Sequence, residues 1–356
     1  LRTACLRNTL MQVNRMKKIE TAKAVGHVLC HDMTQIIKGV SKDARFRKGH
    51  IVTEEDIPVL LSMGKDYLYV WEKQEGMLHE NDAADRLYRL CKNEYMNESP
   101  VKEGKIELFA AIDGVFCIDL EKLNAINSID ELMIATLSNY YPVKAGNKLA
   151  GTRVIPLVVD EKKLQEAERI AGNTPIFSLK PYRRKKCGIV TTGNEVFYGR
   201  IKDTFSPVVV KKLEEFGAEI LGVTYCGDEP ETITAAINEF LAQGAEMVIC
   251  TGGMSVDPDD RTPAAIRATG ANIISYGAPV LPGAMFLLSY QDGRPVLGLP
   301  GCVMYAKRTI FDLVLPRLMA DIPIAKKDLA KLGNGGLCLS CEVCHFPNCG
   351  FGKGGH

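Results

Sequence analysis

No apolar run in this sequence approaches the roughly 20 residues that a bilayer-spanning helix needs, which argues against an integral membrane protein. Neither charge is in excess: 44 Lys and Arg stand against 43 Asp and Glu, for a formal net charge of +1. Without a global field to hold a polyanion, nucleic acid is not expected as the main partner. No internal repeat is visible, and the charged fraction of 24% gives no sign of bulk disorder. The basic N-terminal stretch LRTACLRNTLMQVNRMKKIE has neither an apolar h-region nor a small-residue cleavage site, so a soluble, cytoplasmic protein is expected. What is present is enough apolar residue, 46% of 356, to fill two or three domains.

Twelve cysteines are present, and they are unevenly placed. Eight are scattered singly; Cys187 and Cys250 sit in apolar strand-like runs, where a free thiol behaves as a small hydrophobe. The other four form Cys338-x2-Cys341-x2-Cys344-x4-Cys349, with His345 adjacent. Such spacing lets neighbouring thiolates turn onto one metal and supplies a full ligand set for Zn2+ or a [4Fe–4S] cluster. The run is near the bacterial ferredoxin pattern, with a longer last interval and Pro347 before the final Cys. Glycines surround it, so its order must come from the metal or from docking onto the main body, and removal of 333–356 is expected to leave the preceding domain folded. His27-x2-Cys30-His31 lacks a fourth ligand, and the basic run Arg183, Arg184, Lys185 and Lys186 reads as a solvated linker.

The pattern divides the chain into an extension (1–15), an α+β region (16–95), a mixed β-rich region (96–182), an α/β domain (183–322) and a Cys-rich tail (323–356). Over 16–95 it predicts a helix from Glu54, a strand at Tyr67–Trp71 and an amphipathic helix over 78–95. Over 96–182 it predicts a hairpin around Asp113-Gly114, a helix near 129–137 and a strand at Arg153–Val159. The α/β domain alternates strands with helices: Cys187–Thr191, a helix opened by Ser206-Pro207, Ile220–Tyr225, a helix capped by Asp228, Met247–Cys250, a short helix at Thr262-Pro263, Ile273–Tyr276, Val296–Leu299 and a long helix over Val303–Met319. That order predicts a mostly parallel sheet with helices on both faces, beside smaller mixed α+β N-terminal domains and the Cys-rich tail.

In an open α/β sheet, ligands bind outside the carboxyl ends of the strands. Three loops there carry glycine just after a strand: TTGNEV (191–196), TGGMSVDPDD (251–260) and GLPGCVM (298–304). Gly252-Gly253 lets backbone amides approach an anion, and a side chain at Gly253 would fill space a phosphate needs. Glu195, Asp203, Asp257, Asp259 and Asp260 cluster in or after the first two loops. Carboxylates beside a phosphate loop suit Mg2+ bridging to phosphate oxygens. Three such loops in register point to a phosphate-bearing ligand.

Taken in order across 191–302, TTGNEV, GRIKDTF, TGGMSVDPDD-RTP, PVLPGAMF and GLPGC resemble the molybdopterin-binding domain of molybdenum-cofactor biosynthesis. That domain is shared by molybdopterin adenylyltransferase and molybdopterin molybdotransferase. The resemblance implies that Thr192, Gly193, Thr251, Gly252, Gly253, Ser255, Pro300 and Gly301 hold molybdopterin or its adenylylated form, with Asp260, Asp203 and Glu195 as the acids that work with Mg2+. It implies adenylyl transfer or molybdate insertion, with ATP or AMP and molybdate as co-substrates, a recipient molybdoenzyme and a homo-oligomer. FRKGHIVTEEDIPVLLSMGKDYLYV and VKAGNKLAGTRVIPL resemble pieces of the molybdotransferase's other domains, in a changed order. Several positions depart from the family: Asn194 replaces an Asp, Phe205 an Asn, Ala284 a Lys and Cys302 an Asn, and the Ser-x-Met-Asp-Gly-Tyr-Ala signature is absent. These changes leave open a non-catalytic cofactor carrier, or a nucleotide-processing protein of the competence-damage type. No residue stands out as a covalent nucleophile; Cys302, at a helix start that would lower a thiol's pKa, is the nearest candidate.

Overall fold

The computed structural model describes residues 16–37, 41–71, 76–155, 157–255 and 260–354; the extension 1–15, Asp257 and Asp259 lie outside them. Strands Met16–Glu20, Val28–Leu29 and Tyr67–Trp71 form an antiparallel sheet, closed by the helix Asp56–Ser62. Leu29, Leu60, Leu68 and Val70 fill its core. The carboxylate of Asp56 accepts from the Thr53 amide at 2.8 Å, fixing the turn into the helix.

The next unit runs from Met77 to Pro181. Helix Glu80–Cys91 buries Ala83, Ala84, Leu87 and Cys91 in the same apolar cluster as Leu108, Phe116, Ile134 and Phe177. The core therefore does not divide near residue 95, where the sequence pattern changes; Tyr95 merely turns the chain at a positive φ. The hairpin expected around Asp113-Gly114 does not form, although both of its strands do. Lys105–Ala110 pairs with Lys148–Val154, and Gly114–Ile118 pairs with Phe177–Pro181 and Tyr141–Val143. Gly114 is required by close approach: a Cβ there would lie 2.4 Å from the Lys180 carbonyl oxygen. The helix expected near 129–137 falls instead at Leu120–Asn127, capped by Asp119, whose side chain accepts from Lys122 N. Leu132–Thr136 is a strand whose alternating burial fits one face on the core.

The α/β domain holds six strands: β1 (Lys186–Thr192), β2 (Glu219–Cys226), β3 (Met247–Thr251), β4 (Asn272–Tyr276), β5 (Leu287–Gln291) and β6 (Arg294–Leu299). Their order is β2-β1-β3-β6-β5-β4, parallel except for β5. β5 escaped the sequence reading, yet Asp292-Gly293 between β5 and β6 carries the two left-handed residues (φ 49° and 78°) that a tight hairpin wants. Helices Ser206–Glu214 and Ile310–Met319 cover one face, and Pro230–Ala242 and Thr262–Ala268 the other. The chain leaves β1 toward β2 and returns to β3 on the opposite side of β1. The ends of β1 and β3 thus flank the point where strand order reverses, the usual crevice of this architecture.

The expected long helix over Val303–Met319 is broken. A 3-10 turn occupies Gly301–Met304, and the α-helix starts only at Ile310. Thr309 and Asp312 form a reciprocal capping box there, with Thr309 N donating to Asp312 Oδ2 at 2.8 Å. The helix is buried almost all round, and its few charges are paired. Asp312 meets Lys212 and, at 2.8 Å, Arg308. Arg317 lies 3.9 Å over the Tyr140 ring of the preceding unit and donates to Pro323 O at 2.7 Å. Lys185 is no solvated linker residue either: it is 5% exposed and paired with Asp321.

The tail docks on this face. The backbone around Leu281 bonds that of Gly336 and Cys338, at 2.8 Å in both directions. Tyr141 OH donates to Asn348, and Phe351 is 5% exposed within the main core. Loss of 333–356 would therefore open that core rather than leave it whole. Phe351→Ala is expected to lower the unfolding free energy by about 3 kcal/mol, measured by urea denaturation of the full chain.

Candidate functional site

Five buried hydroxyls stitch the ends of β1 and β3 together. Thr191 Oγ1 pairs with Ser206 Oγ at 2.6 Å, and Thr251 Oγ1 donates to Thr191 Oγ1 at 3.2 Å. Thr192 Oγ1 lies 3.1 Å from both the Thr251 carbonyl oxygen and Thr262 Oγ1. Thr262 Oγ1 in turn donates to Gly252 O at 2.9 Å. None of these five is more than 3% exposed. The hydroxyls of Thr192 and Thr251 are thus turned inward, where they shape the loops. Thr191 was not named from the sequence as a site residue, and Ser206 and Thr262 only as helix starts, although four Thr flanking two Gly turns was a usable signal.

Gly252 and Gly253 are both left-handed, at φ 85° and 55°. A Cβ at Gly252 would meet Thr192 O at 2.3 Å, and one at Gly253 would meet Thr262 Oγ1 at 2.7 Å. The need for glycine at 253 is therefore met inside the protein, and not, as the sequence suggested, by space for a phosphate. Met254 is buried against Gly298 of β6 and anchors the loop. Tyr276 OH, at the end of β4, donates to Met254 O at 3.1 Å and to Ser255 O at 3.3 Å. Partial burial, and then the nearby Asp260 charge, raise the Tyr276 pKa and keep the phenol a donor. Ser255 itself is exposed and Asp260 half-buried, at the outer rim of the loop.

The other two carboxylates stand on separate loops. Asp203 lies just ahead of the helix Ser206–Glu214, whose N-cap is Phe205 and not Ser206, with which the sequence opened it. Its Oδ1 accepts from Phe205 N at 2.8 Å and Ser206 N at 3.1 Å, and its Oδ2 from Tyr225 OH at 3.3 Å. Burial pushes its pKa up, but these donors outweigh burial and hold the carboxyl below its ordinary value. Glu195 is exposed on the single turn Asn194–Phe197 and folds over Gly193. Gly193 N donates to Cys226 O at 3.2 Å, and Asn194 N to Asp228 Oδ2 at 3.3 Å, so β2 fastens this turn. Among the described residues, no three of His, Cys, Asp and Glu converge closely enough to hold a single ion.

Pro300 is buried and Gly301 exposed at the end of β6, starting the 3-10 turn. Burial raises the Cys302 pKa, the opposite of the lowering that a helix start would bring. Phe205 belongs to the core under the sheet. The four tail cysteines lie around one cavity with Pro282 and Tyr305–Arg308; Cys338 and Cys349 are half-buried, Cys341 and Cys344 exposed.

Residues 188–320 match the family described as a probable molybdopterin binding domain, and residues 18–72 match a domain of unknown function (DUF8806). Over 159 residues the chain is 27% identical to the molybdopterin molybdenumtransferase of Synechococcus elongatus, covering 42% of this chain and 38% of that protein. It is 37% identical over 90 residues to a CinA-like protein of Mycobacterium sp., covering 25% and 21% respectively. The chain thus spans less than two fifths of the length of these curated relatives. Among solved structures, the molybdopterin biosynthesis enzyme MoaB of Thermus thermophilus is similar at 21% identity and a TM-score of 0.31, covering 38% of this chain and 91% of that one. No helix among the described residues is long and apolar enough to cross a membrane.

Thr192→Val should cost about 1–3 kcal/mol of stability, because it leaves buried partners unbonded; chemical denaturation reads this directly. Asp203 should contribute stability that is present above the unfolded carboxyl pKa of about 3.9 and is lost as pH falls through its lower folded value. The stability gap between the native chain and Asp203→Asn should therefore be full at neutral pH and close only in acid.

Proposed function

We propose that this chain, whose residues 188–320 match the family described as a probable molybdopterin binding domain, binds molybdopterin at the ends of β1, β3 and β6 and acts in molybdenum-cofactor biosynthesis. The observation that carries this reading is the pair of glycine turns held side by side at the strand-order reversal by buried hydroxyls. Such a frame offers backbone amides to a terminal phosphate without reorganising as it binds. Gly193, Gly252, Gly253 and Ser255 would face the phosphate, Pro300 and Gly301 would close the far side, and Thr192 and Thr251 would fix the frame from behind. Asp260, Asp203 and Glu195 would serve it from three separate loops. Mg2+ is ordinarily held by one or two carboxylates plus phosphate oxygens rather than by an all-protein cage. Carboxylates spread over three loops suit that arrangement once phosphate is present. Mg2+, when bound, would neutralise phosphate charge during adenylyl transfer or molybdate insertion.

Molybdate and ATP or AMP would be the co-substrates, and a recipient molybdoenzyme and a second copy of the chain the protein partners. The raised Cys302 thiol and the uncharged Ala284 favour chemistry without a covalent intermediate, and equally suit a carrier that only delivers the cofactor. The 37% identity to a CinA-like protein supports a second reading, a nucleotide-processing protein of the competence-damage type. The cysteine tail would add a metal site. Incubation with molybdopterin, Mg2+-ATP and molybdate separates these readings: pyrophosphate or AMP release is expected of the biosynthetic enzyme, and neither of a carrier. Turnover of a nicotinamide nucleotide with no affinity for molybdopterin would favour the CinA-like reading and overturn the first.

A further inference from the structure

We propose that Cys338, Cys341, Cys344 and Cys349 hold a [4Fe–4S] cluster, and not a zinc ion, at the end of the sheet that carries the glycine loops. This deepens the metal-site reading of the tail and rests on it. The four cysteines line a single cavity of about 610 Å3. A zinc tetrathiolate with bonds of about 2.3 Å would draw all four sulfurs to within about 4 Å of one another. Yet among the described residues no three metal-ligating side chains converge on one point. Thiolates standing apart around a void are what a four-iron cube needs. Each sulfur then takes its own iron at a separate corner, and the cluster body fills the space between.

The cavity wall matches the charge of such a group. A tetrathiolate cluster carries net negative charge, and Lys307 and Arg308 both line the space, against a single acid, Glu342. Arg308 also lies 5.0 Å over the Phe346 ring, next to the third cysteine. The cradle is also held from outside the cysteines. Lys307 Nζ donates to Glu342 O at 2.6 Å, Leu281 N to Gly336 O and Cys338 N to Leu281 O at 2.8 Å each. Tyr305–Arg308 follows directly on the Pro300-Gly301 turn, and Pro282 lies in the loop that joins β4 to β5. Both segments emerge at the carboxyl end of the parallel strands. The cluster would therefore share a wall with one of the loops assigned to the pterin.

The test uses the full chain, prepared without air, and a synthetic [4Fe–4S] cluster ligated by four small thiolates. Transfer is ligand exchange without net oxidation: each cysteine sulfur forms a bond to iron, one exogenous thiolate leaves, and the cysteine proton passes to it. The expected result is about four iron and about four sulfide retained per chain after desalting, with visible absorption that dithionite bleaches. Cys341→Ser and Cys344→Ser, both at exposed positions, should cut retained iron at least tenfold, whereas Cys117→Ser, away from the cavity, should not. One zinc per chain without sulfide would overturn the cluster but keep the metal site. Absence of either metal, with all four thiols freely alkylated, would overturn both. Molybdopterin binding measured on the same samples tells failure of the tail reading from failure of the pterin reading.

Discussion

Everything at the carboxyl end of the parallel strands depends on the hydroxyl ladder that joins β1 to β3. Threonine side chains at strand ends would ordinarily find water. Here they are sealed under two glycine turns, and each has a partner within the protein. Buried hydroxyls without partners would be costly, so the ladder favours one arrangement of the two turns. That arrangement leaves no room for a Cβ at 252 or 253. The glycine-rich motif is thus first a solution to a packing problem.

A second constraint is the helix Ile310–Met319. Its apolar surface faces the sheet core, while Arg317 reaches Tyr140 of the preceding unit and Asp312 gathers Lys212 and Arg308. Arg308 in turn lines the cavity of the four tail cysteines. One buried helix therefore connects sheet, middle unit and tail, which explains why a segment so rich in glycine is ordered by docking. The aromatic anchor is Phe351, beyond the last cysteine.

Much of the α/β domain was legible in the sequence because each parallel strand announces itself as a short apolar run followed by glycine and a helix cap. β5 was not, because it is antiparallel and its Asp-Gly turn lay between two runs that look continuous. In the middle unit the strands were visible but their partners were not: Gly114 signals a turn in sequence and a close strand crossing in the fold. The strand Leu132–Thr136 was mistaken for helix because five residues are too few to tell one period from another. At the site, the loops and carboxylates could be found from motif spacing. The inward direction of Thr192 and Thr251 and the tether from Tyr276 depend on contacts between residues far apart in the chain, whereas the bonds of Asp203 to the Phe205 and Ser206 amides are local.

The frame at the reversal point is proposed to take the phosphate of molybdopterin. Isothermal titration of the full chain with molybdopterin, repeated with inorganic phosphate as competitor, tests it most directly. One molybdopterin per chain is predicted, weakened as phosphate rises. Absence of molybdopterin binding to the folded chain, or binding indifferent to phosphate, would contradict the account.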